Sequence, residues 1–316
     1  MSGLKSAPER YFYHSFPHHK EKTGEVEKGL KILGLMKKMG LLLTPDNIPW
    51  PDVQSDGSPS EGWTITQIRC CFTELGPNEL AQHAEEFGHF ALEFEIDVLP
   101  RLGAIPVFYL PRRPMGGAEQ LATELVACVG NMQILVNRIL QLEEEIRINS
   151  NKNKSLCIIK NGDTRKIRSS VGGAEDLLSS LTEGIQPPTR LIAALKALSG
   201  FFYPTDDLSR TGLLGYYRQR EWRILANIGL TRRLEADEQE SLLQLDRQFF
   251  TQELKFENGI HPSIDECRVF QQLDGKPIIC YARRVIVPPC ALGEAKEILN
   301  EPDDPPVTAL ESIGSN

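Results

Sequence analysis

The sequence lacks several features that define common classes of protein. Its seven cysteines are scattered, with Cys70 and Cys71 adjacent, and none of them form a CxxC pair. Neither a zinc-site pattern nor a disulfide framework is therefore indicated, and we expect no metal site. No apolar run approaches the length that crosses a bilayer, and the N-terminal residues lack the apolar core of a signal peptide. These absences predict a cytoplasmic protein without a membrane segment.

Positive charge is also scarce. The 35 lysines and arginines are outnumbered by 43 aspartates and glutamates, which gives a formal net charge of -8. This balance argues against strong, non-specific electrostatic binding of nucleic acid. Hydrophobic residues make up 41% of the 316 positions, as in ordinary globular proteins, and the chain is long enough for one large domain or two small ones.

The pattern of apolar residues predicts an α+β fold with a mixed, mainly antiparallel sheet. Four strands and two helices are predicted in the first third of the chain, and strands return near the end. The prolines, glycines and serines of 44–63 predict a long loop between the first helix and the second strand. The predicted strands are 11–16, 66–75, 89–99, 104–111, 216–225, 267–281 and 283–288, and the predicted helices 24–43 and 76–88.

The middle of the chain has a different pattern. Residues 116–148 have helical spacing, and 155–170 resemble a hairpin with Asn161-Gly162 as its tight turn. We therefore predict a helical insertion with a hairpin over 115–199, inside a core domain formed by 9–114 and 200–292. The composition of 301–316 predicts a disordered tail.

The strongest candidate for chemistry is an acid in the segment "YYRQREWRIL". If this segment is a strand, Gln219 and Glu221 project from the same face while Trp222 packs on the other. The structural alternative is a salt bridge from Glu221 to Arg220 or Arg223. Spacing alone does not separate these interpretations.

Polar residues on two other predicted strands are further candidates. His14 and Ser15 lie within the aromatic strand "YFYHSF", where they either bind a ligand or are satisfied by the backbone. Thr73 and Glu74 end the strand in "CFTEL", at the kind of place where α/β folds build their sites. Glu74 could equally cap the following helix.

Several blocks of sequence resemble a bacterial family. In order, "YFYHSF", "CFTEL", "HAEEFGHFALEF", "GAIPVFYLP" and "QREWRI" resemble the AbiGi-type abortive-infection proteins and related uncharacterised bacterial proteins. Members of this family are described as the antitoxin partner of a phage-resistance pair. The resemblance covers about 11–112 and 216–225, and it implies a role in phage defence with a protein partner, either a toxin or a phage product.

The same order of features more distantly resembles the ADP-ribosyltransferases. This resemblance implies that NAD is a substrate, that Glu221, Gln219 and His14 are catalytic, and that the core is ADP-ribosyltransferase-like. The residues it implies for NAD binding are drawn from several segments: His14, Ser15, Thr73, Glu74, Tyr109, Tyr217 and Arg223. A carboxylate beside developing positive charge would stabilise the oxocarbenium-like transition state.

Two functions follow, with a structural alternative. The first is an NAD-dependent enzyme that transfers ADP-ribose to a macromolecule. The second is a non-enzymatic, antitoxin-like protein that neutralises or senses a protein partner, for which an acidic surface is suited. In the structural alternative, the same residues only stabilise the fold. The enzyme hypothesis in this form requires His14 and Glu221 to share one pocket.

Overall fold

The chain divides into two compact units. A computed structural model describes residues 10–17, 24–53, 59–110, 128–133, 135–141, 144, 157–160, 163–166, 194–195, 198, 202–204, 220–226, 231–256 and 259–313. Unit 1 is formed by Met1–Arg113 and Gly200–Asn316, and unit 2 by Pro114–Ser199. The predicted insertion, 115–199, lies inside unit 2.

Unit 1 is built around one large sheet with helices beside it. Its strands are β1 (Tyr11–Phe16), β2 (Leu41–Val53), β3 (Pro59–Leu75), β4 (Phe90–Phe94), β5 (Ile105–Pro106), β6 (Phe108–Leu110), β9 (Phe202–Pro204), β10 (Glu221–Leu225), β11 (Arg232–Arg233), β12 (Glu253–Phe256), β13 (Gly259–Pro262), β14 (Arg268–Phe270), β15 (Gln272–Leu273), β16 (Lys276–Pro277), β17 (Arg284–Val287) and β18 (Val307–Ala309). Its helices are α1 (Glu25–Met39), α2 (Leu80–Phe87), α3 (Val98–Arg101), α4 (Ala236–Leu245), α5 (Arg247–Phe250), α6 (Ser263–Glu266) and α7 (Leu292–Ile298).

The main sheet has ten strands and is mostly antiparallel. Eight strands follow the order β11-β14-β2-β3-β1-β4-β17-β18, while β10 pairs with β3 and β5 pairs with β10. The pair β17–β18 is parallel, and the other pairs of this sheet are antiparallel. The α+β class with a mainly antiparallel sheet is therefore confirmed.

One face of the sheet is apolar and carries the main core. Cross-strand partners such as Phe12 and Phe94, or Trp222 and Phe72, place their side chains on this face. Helix α1 covers it with Leu30, Leu33 and Met36. The fit is close at Gly29, where a Cβ atom would overlap the ring of Phe90. We call this side of the sheet the apolar face.

A second core cluster lies between α1 and the segment that follows β10. It joins Met39 to side chains of α4, α5, α6 and β14: Leu242, Phe250, Ile264 and Val269. The predicted helix in 24–43 ends where Gly40 adopts a φ of 94°, a conformation that glycine tolerates best. This cluster anchors the C-terminal half of unit 1 to α1.

The described residues of unit 2 include helical segments and a hairpin. Residues 128–133 and 135–141 are helical. Strands β7 (Cys157–Lys160) and β8 (Asp163–Lys166) pair antiparallel, with Lys160 opposite Asp163. The predicted hairpin over 155–170 is therefore present, with two residues between its strands.

The predicted loop over 44–63 was wrong. Most of it belongs to β2 and β3, which pair from Thr44 and Arg69 to Val53 and Pro59 with one irregularity near Trp50. Beyond Leu43, β2 pairs with β3 alone among the described strands. It is therefore an edge strand there, and proline is tolerated because no second neighbouring strand needs the N–H that proline lacks. The prolines misled the prediction because their position in the sheet is not visible in sequence.

The predicted disordered tail over 301–316 was also wrong for 301–313. Val307 pairs with Val285 as β18 adds to the sheet, and Leu310 and Ile313 pack against an apolar cluster. The Nζ of Lys37 lies 3.0 Å from a carboxylate oxygen of Glu301 and 2.9 Å from one of Asp304. Acidic residues that suggested disorder are thus partners of α1, and residues 314–316 lie outside the described part of the chain.

Candidate functional site

A row of polar side chains crosses the sheet on the face opposite the main core. Thr73 on β3 pairs with Tyr13 of β1 on one side and with Glu221 of β10 on the other. Tyr13 also pairs with Glu93, which pairs with Arg284. Because directly paired residues project to the same side of a sheet, these five side chains share one face. We call it the polar face.

Arg223 and Tyr109 each donate a hydrogen bond to Glu221 on this face. Its Oε1 accepts from the Nε of Arg223 at 2.7 Å, and its Oε2 accepts from the hydroxyl of Tyr109 at 2.8 Å. Burial alone would raise the pKa of Glu221, but the adjacent Arg223 guanidinium outweighs it and lowers that pKa to about 2. The side chain is 13% exposed. Glu221 is therefore an ionised and oriented carboxylate with limited access to solvent.

Arg223 connects Glu221 to the long strand β3. Its side chain is 1% exposed, and its guanidinium also donates to the Oε1 of Gln67 at 2.9 Å. The Glu221 carboxylate outweighs the effect of burial and raises the pKa of Arg223. A buried charge of this kind needs such a partner. Of the two salt bridges predicted for Glu221, the one to Arg223 is present.

Cys71 belongs to the same group. Its thiol hydrogen-bonds the Glu221 carboxylate, and burial together with that negative charge raises the pKa of Cys71 to about 12. The thiol is therefore protonated at neutral pH and is a weak nucleophile. We define the Glu221 cluster as Glu221, Arg223, Tyr109, Gln67 and Cys71.

Two predicted hydroxyl residues lie beside the Glu221 cluster. Thr73 is half-buried and directly opposite Glu221. Ser15 follows Tyr13 by two positions on β1, so it projects from the same polar face. The Oγ of Ser15 is buried and has no hydrogen-bond partner among the described residues. The hydroxyl of Thr73 is thus next to the Glu221 carboxylate, and that of Ser15 is buried on the same face.

His14 does not share this face. It pairs with Leu92 and projects into the apolar face, where its ring lies 5.5 Å from that of Phe72. The Nδ1–H of His14 donates to the carbonyl of Cys71 at 2.8 Å, while burial lowers the pKa of the imidazole. The expected pocket shared by His14 and Glu221 is therefore not formed, because adjacent residues of β1 project to opposite sides of the sheet.

Glu74 also lies apart from Glu221. It pairs with Phe12, and its carboxylate is 3.6 Å from the guanidinium of Arg10. It does not cap the following helical turn, because Glu79 accepts the N–H of Gly76 there at 2.6 Å. Glu79 is also 3.2 Å from the guanidinium of Arg220, so the predicted pair between Arg220 and Glu221 is replaced by this one.

The residue before Glu221 has an unusual backbone. Arg220 adopts a φ of 39°, which is uncommon for a residue with a side chain. Its carbonyl accepts the N–H of Glu74 at 3.3 Å, which ties the start of β10 to the end of β3. This conformation fixes where β10 begins and hence where Glu221 stands. The predicted residues Tyr217 and Gln219 lie outside the described part of the chain.

Sequence reasoning missed the other half of the polar row. Glu93 is fully buried and receives hydrogen bonds from Tyr13 at 2.9 Å and Arg283 at 2.7 Å, with Arg284 at 2.9 Å. Burial, followed by the effect of the Glu93 charge, raises the pKa of Tyr13. The available signal was the glutamate in the apolar run "FALEF", which a buried strand tolerates only with partners.

Comparisons with known proteins add no assignment: no protein-family model, curated protein or solved structure matches the chain. The described residues contain no group of three or more histidines, cysteines or acids that could hold a metal ion. None of the described helices is both long enough and apolar enough to span a bilayer.

Proposed function

We propose that the chain is a phage-defence protein that binds NAD at the Glu221 cluster and transfers ADP-ribose from it to a macromolecule. The observation that carries this proposal is an ionised Glu221, oriented by Arg223 and Tyr109 and paired across the sheet with Thr73. The resemblance of the sequence blocks to abortive-infection proteins and to ADP-ribosyltransferases supports it. His14 has no role in this version of the mechanism.

The carboxylate retains capacity for a ligand. An ionised carboxylate has about four lone-pair sites, and the carboxylate of Glu221 accepts one hydrogen bond each from Arg223, Tyr109 and the thiol of Cys71. A ribose hydroxyl can donate to the one site that remains. The hydroxyls of Thr73 and Ser15 lie on the same face and provide further contacts for a polar ligand.

In the reaction, the bond between nicotinamide and C1′ of the ribose breaks, and nicotinamide leaves as a neutral molecule. The acceptor nucleophile forms a bond to C1′, and its proton passes to solvent. Positive charge develops on the ribose between these events, and the fixed carboxylate of Glu221 stabilises it. Arg223 keeps the carboxylate ionised at the acidic end of the pH range while it offsets part of the negative charge.

The proposal is tested by incubating the full chain and host or phage lysate with NAD that carries a label on its adenylate part. Glu221→Gln retains the size of the side chain and removes its charge, and we expect label transfer and NAD turnover to fall about a hundred-fold or more. Glu74→Gln is the matched control, because it changes the same residue type at the end of β3 on the other face. Equal turnover by the native chain and Glu221→Gln would refute a catalytic Glu221.

A second function is favoured by a different observation. Phe249 and Ile260 are 41% and 65% exposed, and the chain has a net charge of -8. Exposed apolar side chains on an acidic protein suit a binding surface for a basic partner, as in an antitoxin-like protein. Co-expression with the product of the neighbouring gene tests this function. Rescue from toxicity by both native and Glu221→Gln chains would favour binding over catalysis.

A further inference from the structure

A cavity that contains none of the residues of the Glu221 cluster has a different chemical character. It has a volume of about 340 Å³ and is lined by Arg233, Leu234, Gln239, His261, Asp265 and Glu266. These residues come from β11, the start of α4, β13 and α6. Pockets for small molecules range from roughly 300 to 1,000 Å³, so this one suits a small ligand.

Some charged residues at the cavity and beside it have an ion-pair partner, and two in its lining have none among the described residues. Glu266 is 2.9 Å from the guanidinium of Arg268, and the neighbouring Arg232 binds Glu238 through two hydrogen bonds. Arg233 and Asp265 form no ion pair with any residue in the described part of the chain. The lining therefore presents one available guanidinium and one available carboxylate.

Neutral polar groups complete the lining. Gln239 supplies an amide that can donate or accept, and it is half-buried. His261 on β13 pairs with Leu254 of β12, and its Nε2 is buried without a hydrogen-bond partner among the described residues. Such an unsatisfied group is uncommon in a folded protein and is compatible with a ligand that completes it. Leu234 is the one apolar residue in the lining.

From this set of groups we infer that the cavity binds a free α-amino acid. Arg233 and Gln239 bind the carboxylate of the ligand, and Asp265 binds its ammonium group. A guanidinium matches a carboxylate by its planar, two-pronged geometry, and both contacts are hydrogen bonds between charged groups. Because the lining is mostly polar, small or polar amino acids bind more tightly than large apolar ones. This inference is independent of the function proposed for Glu221.

The experiment measures binding of each standard L-amino acid to the full chain by calorimetry, with the thermal midpoint as a second readout. We expect at least one small or polar amino acid to bind and to raise the midpoint. Its N-acetyl derivative, which lacks the ammonium charge, and its amide, which lacks the carboxylate, should each bind about ten-fold or more weakly. No binding by any amino acid, or equal binding of all three forms, would overturn the inference.

Two variants test which residue binds the carboxylate of the ligand and which binds its ammonium group. Arg233→Gln and Asp265→Asn should each weaken binding of the free amino acid by about ten-fold or more. Arg233→Gln should cause no further loss for the amide, and Asp265→Asn none for the N-acetyl form. The matched controls are Arg247→Gln and Asp303→Asn, which change exposed residues of the same types outside the cavity. All four side chains are exposed, so folding should be preserved, and equal effects in variants and controls would contradict the assignment.

Discussion

The two faces of the central sheet are organised by different physical principles although they share the same strands. On the apolar face, aromatic side chains such as Phe12, Phe72 and Phe94 fill space under α1. On the polar face, Glu93 and Glu221 are each held by specific donors. Volume and contact stabilise the first face, whereas the second adds pairing of buried charges to a smaller apolar cluster around Tyr11 and Ala91.

This difference matters for assigning function. A carboxylate with only a small exposed fraction must be held in one orientation, and that is the property which catalysis requires. Glu93 shows that the same fold also uses a fully enclosed carboxylate for stability alone. Glu221 differs from Glu93 by its residual exposure, 13% of the side chain against none.

The largest effect is expected on the apolar face. Phe72→Ala removes a fully buried ring that lies 5.7 Å from Phe94 and should lower the free energy of unfolding by about 3–5 kcal/mol. Phe72→Leu, which retains most of the volume, should lose much less. Urea denaturation measures both. Similar losses in free energy of unfolding for the two variants would show that filled volume is not what stabilises this face.

The next effect concerns the enclosed carboxylate of the polar face. Glu93→Gln keeps the size of the side chain but, among the described residues, leaves Arg284 without a negative partner and Arg283 with only the exposed Glu95, so we expect a loss of about 3 kcal/mol by urea denaturation. Glu95→Gln is the matched control: Glu95 is 50% exposed and pairs with Arg283, and its loss should stay below about 1 kcal/mol. A small effect at Glu93 would remove the proposed distinction between the faces.

A third test uses the pH dependence of Glu221. Its pKa is about 2 in the folded chain against an ordinary value of 4.5, so the unfolded state binds the proton more tightly. The contribution of ionised Glu221 to the free energy of unfolding is fully present above about pH 4.5 and is lost as the pH falls towards 2. The expected magnitude is about 3 kcal/mol.

This contribution is measured as the difference in free energy of unfolding between the native chain and Glu221→Gln, with urea denaturation repeated from neutral to acidic pH. The difference should shrink as the pH falls through that window, because the variant has no group to titrate there. A difference that does not change with pH would mean that Glu221 is not an ionised partner of Arg223.

The smallest effect is expected at His14. His14→Leu removes the hydrogen bond to the Cys71 carbonyl but keeps an apolar group on the apolar face, so stability should change by about 1 kcal/mol. NAD turnover and label transfer should remain at the native level. A loss of turnover as large as that of Glu221→Gln, with stability preserved, would show that His14 takes part in catalysis.

Local features of the fold were predictable because they depend on neighbours in sequence. The aromatic strand 11–16, the stop of α1 at Gly40 and the hairpin around 161–162 all follow from patterns of a few residues. The segments 44–63 and 301–313 were not predicted, because strand pairing overrides their polar and proline-rich composition: β2 pairs with the next strand, β3, and β18 pairs with β17.

The site was predictable only within each strand. Alternation shows that Tyr13 and His14 project to opposite sides of β1, but it does not show which of them shares a face with Glu221. That depends on registers between strands, Tyr13 with Thr73 and Thr73 with Glu221, which link positions far apart in the chain. A shift of one residue in either register would have placed His14 beside Glu221 instead.

The parallel pairing of β6 with β9 has a consequence for how far the chain between them can be shortened. Phe108 lies opposite Phe202 and Leu110 opposite Pro204, so the two strands run side by side in the same direction. The end of one parallel strand lies beside the end of the other and not beside its beginning, so the connection needs about a dozen residues or more. A shortened chain that keeps this pair therefore requires a crossover of about that length between Leu110 and Phe202.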